Sequence, residues 1–185
     1  LRAYIEKLET EMKAAAAADP ELQLSETGKA NGVIIDKVST CANGNGFVYG
    51  VATDNGDSIA DALQTPAGSI QVTENEQGQM STGAKIELLN DSGEVVETYY
   101  FIFFGDINGD GLIDPIDVTL VEGVASYSDF DFSADDGSIT GIAADVNGDG
   151  LIDPIDVTYL EGVASYSDFP TQAETAAVVA AAKGI

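Results

Sequence analysis

DINGDGLIDPIDVTLVEGVASYSDF, residues 106–130, returns 39 residues later as DVNGDGLIDPIDVTYLEGVASYSDF, residues 145–169. Over the 25 aligned positions the copies differ at three: Ile107 against Val146, Leu120 against Tyr159, and Val121 against Leu160. Two copies this alike should build the same unit twice, with near-twofold symmetry between them.

The carboxylates say what the unit is for. Asp106, Asn108 and Asp110, and again Asp145, Asn147 and Asp149, place side-chain oxygens at positions 1, 3 and 5 of a loop. Gly111 and Gly150 follow at position 6, where a chain wrapping an ion must turn sharply. Leu112 and Leu151 offer a main-chain carbonyl at position 7. Asp114 and Asp153 offer a carboxylate acting through water at position 9, and Asp117 and Asp156 close the loops at position 12. This is the spacing of an EF-hand calcium loop with one departure, Asp instead of Glu at position 12. The plainer reading is an acidic surface turn, but the spacing recurs intact. All-oxygen, carboxylate-rich ligation suits calcium better than zinc or copper, and magnesium wants a smaller, more regular cage. Two Ca2+ ions are therefore expected. Without them, each pair of touching carboxylates costs about 4 kcal/mol at a surface-like dielectric, so the metal is expected to be needed for folding. Ile113 and Ile152, at position 8, are expected to pair the loops back to back.

A helix follows each loop, because Asp114-Pro115 and Asp153-Pro154 set an N-cap before a first-turn proline. At 100° per residue Val118, Val121 and Ala125 share one face, and Ile116, Leu120, Gly123 and Tyr127 lie nearly opposite. The second copy repeats this with Val157, Leu160 and Ala164 against Ile155, Tyr159, Gly162 and Tyr166. One stripe suffices for the core of so small a unit. The other is either a partner surface or is covered by flanking segments of this chain.

The paired D-x-N-G-D-G-x-I-x-x-x-D loops, with Asp at position 12 and no long entering helix, resemble a dockerin module, a calcium-binding docking tail of cellulosome-type systems. The resemblance covers about a third of the chain. It implies a cohesin partner on a scaffolding or cell-surface protein. It also implies a recognition surface at loop positions 10 and 11 and helix positions 15, 18 and 22. Here these are Pro115, Ile116, Leu120, Gly123 and Tyr127, then Pro154, Ile155, Tyr159, Gly162 and Tyr166, which coincide with the leftover stripe. Many family members carry Ser or Thr at 10 and 11 and basic residues at 18 or 22; this chain has neither. Near-identity of the halves implies that the module binds in either of two orientations. A β-rich X module often precedes and buttresses a dockerin, and residues 32–104 are similar to one in position and size.

Charge and missing residue types narrow the rest. The net charge is −25, and all seven basic residues lie outside residues 86–182, so nucleic acid and anionic membrane are poor partners. Between Gly105 and Pro170 there are 15 carboxylates, more than two calcium ions offset, and the partner's rim is expected to be basic. The chain has no His, hence no Ser-His or Cys-His nucleophile pair, and it is expected not to be an enzyme. Any catalytic domain of a parent protein would lie upstream. A lone Cys41 makes no disulfide framework and reads as a small packed residue. Loops of this type usually work in millimolar extracellular calcium, so a secreted bacterial, cell-surface or extracellular protein is expected, monomeric when free.

The expected fold is α+β, a small β-rich domain followed by an all-α dockerin-like module of two loop-helix calcium hands. Residues 1–31 are read as a helix (1–18, with a seam at Leu1, Ile5, Leu8 and Met12) and a polar connector. Residues 32–104 form the β-rich domain, with strands at 33–38, 47–51, 69–74, 84–89 and 95–104, a hairpin at 90–93, and a helix at 58–64 whose Ser58 and Asp61 are placed like a capping box. Residues 105–170 are the calcium module, with a short helix at 139–144 entering the second loop. Residues 171–185 form a final helix opened by Thr171 and Glu174. So short a link at Gly105 implies that the two parts pack as one rigid unit. Tyr49, Tyr99, Tyr100, Phe101, Phe103 and Phe104 read as core, with a sugar platform as the alternative. The alternative to docking as a whole is a calcium-stapled structural cap or adhesion module without a cohesin.

Overall fold

The computed structural model describes residues 2, 4–7, 19–39, 44–52, 56–126, 137–164 and 171–185. Helices and sheets are both present, as an α+β reading requires. Five strands form the main sheet: β2 (Ile34–Asp36), β3 (Gly46–Tyr49), β5 (Ser69–Thr73), β6 (Lys85–Leu89) and β7 (Val95–Ile102), in the order β2-β3-β7-β6-β5. Neighbours are antiparallel except β3 and β7, which run parallel. The turn between β6 and β7 is closed by Asn90, whose carbonyl accepts from Gly93 (2.9 Å) and whose amide donates to Glu94 (2.9 Å). Four of the five strands lie within the runs expected from β-branched and aromatic residues, and β3 begins one residue earlier, at Gly46.

Two expectations in the N-terminal half are corrected. The connector before residue 32 holds β1 (Gln23–Leu24) and a short helix α1 (Glu26–Ala30), not a loop. The second helix, α2, is Gly56–Asp61 and stops before Leu63–Gln64, which form strand β4 paired with β1. Ser58 therefore lies inside α2 and is not its cap. Ser25 explains both changes. Its amide donates to Ala62 (2.9 Å), its hydroxyl donates to the Asp61 carbonyl (2.5 Å), and it caps α1 by accepting from Gly28 (3.1 Å). Residues some forty positions away thus take up the backbone groups that local pattern assigned to a longer helix.

The sheet is covered on both faces. Val48, Ile86, Leu88, Tyr99 and Phe101 point to one side and form a core with Leu22, Val33, Ile59 and Leu63. Phe47, Tyr49, Tyr100, Ile102 and Phe104 point to the other side. There they join Ile107, Val121, Val146 and Leu160 from the duplicated segment and Ala176 and Val179 from the last helix. The strand aromatics are core, with Phe103 half-buried at its edge. One apolar core therefore runs across Gly105, from the sheet into the duplicated loops.

Helices α3 (Pro115–Ala125) and α5 (Pro154–Ala164) pack against each other, and α4 (Gly137–Ala144) leads into the second loop. Asp114 caps α3 in a capping box with Asp117, Pro115 stands at the first turn, and Pro154 opens α5 in the same way. The last helix, α6 (Gln172–Lys183), is opened by the Thr171–Glu174 capping box and lies on β2 and β3. Its Gln172 side chain pairs with the Phe104 backbone in both directions, at 2.8 and 2.9 Å. Of the N-terminal helix, residues 2 and 4–7 are described; they are helical, and Ile5 is exposed. The remainder of that seam and Cys41 lie outside the described residues.

Candidate metal and docking site

The carboxylates of the two loops organise the backbone around them. In the first, Asp106 accepts from the Gly109 amide (2.9 Å) and the Gly111 amide (3.3 Å). Asp117 accepts from Ile107 (2.8 Å), Asn108 (3.3 Å) and Asp114 (3.0 Å), tying the end of the loop to its start. In the second, Asp145 accepts from Asp149 (3.1 Å) and Gly150 (2.9 Å), and Asp156 from Asn147 (3.2 Å) and Asp153 (3.0 Å). Gly111 and Gly150 have φ of 84° and 85°, as the turn at position 6 requires. The glycines at position 4, Gly109 and Gly148, are equally constrained, which the sequence reading passed over. Their φ values are 75° and 74°. A Cβ on Gly109 would meet the Thr82 carbonyl at 2.8 Å, and one on Gly148 would meet Val179 at 2.9 Å.

Asp106, Asp117 and Asp156 are fully buried. Among the described residues, ion pairs form at Arg2–Glu6, Lys29–Glu26, Lys37–Glu21 and Lys183–Asp36, and none reaches a loop carboxylate. Burial accordingly pushes Asp106 up to about 6, and the nearby charge of Asp117 pushes the same way against the hydrogen bonds of Ser81, Thr82 and Gly111. Burial raises Asp117, Asp145 and Asp156 as well, with neighbouring carboxylates adding to it: Asp110 on Asp117, Asp156 and Asp149 on Asp145, and Asp149 and Asp153 on Asp156. Anions are thus crowded from opposite ends of each loop. The donor chemistry fits a hard cation, being all oxygen and short of positive charge. Among the described residues no three Asp, Glu, Cys or His side chains converge into a closed metal cage. Their oxygens are turned to loop amides, and a loop of this spacing also draws on Asn and main-chain oxygens. Ile113 and Ile152 sink partly into the shared core.

The first loop is held by residues that no spacing rule connects to it. Ser81 donates its hydroxyl to Asp106 Oδ2, and the Thr82 amide reaches the same oxygen at 3.4 Å. Asn75 Nδ2 bridges the Thr82 carbonyl (2.8 Å) and the Gly109 carbonyl (2.7 Å). All three residues sit in the turn between β5 and β6. The second loop instead meets the apolar side of α6, at Val178 and Val179.

On α3 and α5 the two faces separate as periodicity implies. Val121 and Leu160 are buried, while Ile116 is 55% exposed, Ile155 51% and Tyr159 38%. Pro115 and Pro154 are exposed beside them, and Gly123 and Gly162 are half-buried. A cavity of about 290 Å³ opens between Pro154, Ile155, Thr158 and Tyr159. Leu120 departs from the expected stripe: it is half-buried and packs against the shared core. Tyr127 and Tyr166 lie outside the described residues.

Residues 104–162 match the family model of the dockerin type I domain, and this part of the chain is a dockerin module. Dockerin domains are non-catalytic, generally calcium-binding docking domains that bind cohesins, and they occur in secreted cellulosome components. No curated protein and no solved structure gives a significant match to the chain. Among the described residues no helix is long and apolar enough to cross a membrane.

Proposed function

We propose that this chain is a non-catalytic docking unit in which two calcium ions hold two outward-facing helices against a cohesin on a scaffolding or cell-surface protein. The ligands are Asp106, Asn108, Asp110, the Leu112 carbonyl, Asp114 (through water) and Asp117 in the first loop. In the second they are Asp145, Asn147, Asp149, the Leu151 carbonyl, Asp153 and Asp156. Each ion neutralises carboxylates that burial otherwise forces together, and so fixes the start of the helix that follows. The observation that carries docking rather than a structural cap is the exposure of Ile116, Ile155 and Tyr159. A cap without a partner would have buried both stripes. Pro115, Ile116, Gly123 and Tyr127, with Pro154, Ile155, Tyr159, Gly162 and Tyr166, form the two alternative contact surfaces, and Leu120 serves mainly the core.

The acidic surface around them favours a cohesin with a basic rim. The β-rich part acts as a buttress for the module, as an X module does. The setting is an extracellular or cell-surface bacterial assembly acting on polysaccharide. The test is capture of surface and secreted proteins on the immobilised chain in calcium, eluted with chelator. Recovery of a cohesin-bearing protein, lost when calcium is removed, is the expected result. A chain that folds on calcium yet retains no cohesin would leave the structural cap as the better reading.

A further inference from the structure

Two loops of nearly identical sequence sit in different surroundings, and the difference falls on the first residue of each. Asp106 is fully buried, and its Oδ2 takes hydrogen bonds from the Ser81 hydroxyl and the Thr82 amide, both from the sheet. Asp145 is half-buried and accepts from Asp149 and Gly150 of its own loop. Position 4 repeats the contrast. The Gly109 carbonyl is fixed by Asn75, which is itself locked by accepting the amides of Gln77 and Gln79, each at 3.0 Å. At Gly148 the neighbours of an added Cβ are instead the Val178 and Val179 methyl carbons and the Val179 backbone nitrogen, with no polar side chain among them. Outer groups that hold a ligand's far oxygen and the loop's turn restrict the first loop before any ion arrives. That lowers the ordering cost of binding and slows release.

We propose that Ser81, Thr82 and Asn75 are positioning residues for calcium in the first loop, so that the twin loops bind unequally, the first tightly and slowly exchanging, the second weakly and quickly. This rests on the calcium reading above. It makes the second hand the one that responds to changing calcium, although its loop sequence differs from that of the first only at Val146 for Ile107.

The experiment uses the full chain in two forms. Asp149→Ala with Asp153→Ala leaves the first loop, and Asp110→Ala with Asp114→Ala leaves the second. Calcium affinity is measured by titration calorimetry, and release by stopped-flow mixing with a fluorescent chelator. The first-loop form should bind roughly 10-fold or more tightly than the second. Ser81→Ala, and separately Asn75→Ala, should weaken the first-loop form by about 10-fold and speed its release, leaving the second-loop form unchanged. A merely structural loss would move both alike. If the loop variants do not fold, release from the otherwise unaltered chain decides: two phases are expected, with Ser81→Ala accelerating the slow one. Equal sites, or an equal response of both to Ser81→Ala, would overturn the inequality while leaving calcium binding standing. No calcium uptake by the unaltered chain would remove the calcium reading and this inference with it.

Discussion

Asp36 is a fully buried carboxylate that remains charged because its surroundings were built for it. Burial alone would raise its pKa, but the amides of Ser39 and Val38, the Ser39 side chain and Lys183 together hold it at about 2. Lys183 Nζ lies 2.9 Å from Oδ2, 2.8 Å from Ser39 Oγ and 5.9 Å from the centre of the Tyr49 ring, and it belongs to the last turn of α6. A depressed carboxylate pKa contributes stability that is present above the unfolded value near 4 and is lost as pH falls through the folded value. Lys183→Ala leaves the buried charge without its cation. It should cost about 2 to 3 kcal/mol at pH 7, somewhat less than a fully buried pair because the lysine is partly exposed. That cost should shrink as the pH falls from about 4 towards 2, where Asp36 takes up a proton. Urea melts of both proteins at pH 7 and across that interval measure it; an equal penalty at every pH would mean that α6 is held by packing alone.

At the scale of the element, the two hands differ in what they leave exposed at one of their three differing positions. Ile116 and Ile155 project alike, whereas position 15 gives a half-buried Leu120 on α3 and an exposed Tyr159 on α5. A partner docking on α5 therefore meets an aromatic ring beside a cavity, and one docking on α3 meets a smaller apolar contact. Aromatic anchors in pockets carry more binding energy than rim aliphatics. Ile155→Ala with Tyr159→Ala should thus weaken cohesin binding more than Ile116→Ala alone. Either change by itself should leave binding through the other helix, and the triple change should abolish it. Calorimetry against a bound cohesin reads all three. Complete loss from Ile116→Ala alone would rule out docking in two orientations. These helices were legible beforehand because Asp-Pro fixes where each begins and a 3.6-residue period fixes which face is apolar. Leu120 departs from the stripe because periodicity gives an angle on the helix but not which neighbouring residues of the shared core pack against it.

Over the whole molecule, what could be read from the sequence divides by the distance of the interactions that decide it. The five strands of the main sheet, the hairpin at Asn90 and the Thr171–Glu174 capping box depend on neighbours a few residues away and were placed, whereas the box read at Ser58 and the short strands β1 and β4 were not. The pairing of β1 with β4, the parallel neighbours β3 and β7, and the grip of Ser81 on Asp106 join residues 25 to 53 positions apart, and no spacing rule announces them. One hint was available: TYYFIFF, residues 98–104, is apolar at nearly every position, which suits a strand covered on both faces rather than one. That double cover ties the module to the sheet, since Phe47, Tyr49, Tyr100, Ile102 and Phe104 pack in the same core as Ile107, Val121, Val146 and Leu160. The tie should appear in the melting of the chain. With calcium, the sheet and the helices should unfold in one transition, and chelator should lower both signals together, because Asp106 and Asp117 anchor loops that seat core residues of the sheet's own cluster. A fragment of residues 105–185 in saturating calcium should melt about 10 °C or more below the full chain, since even 2 kcal/mol of lost apolar cover moves a domain of this size by that much. Circular dichroism for the helices and amide hydrogen exchange at β3, β6 and β7 for the sheet follow the two parts separately. A fragment that melts as high as the full chain, or a sheet signal indifferent to chelator, would mean that the module and the sheet are merely adjacent.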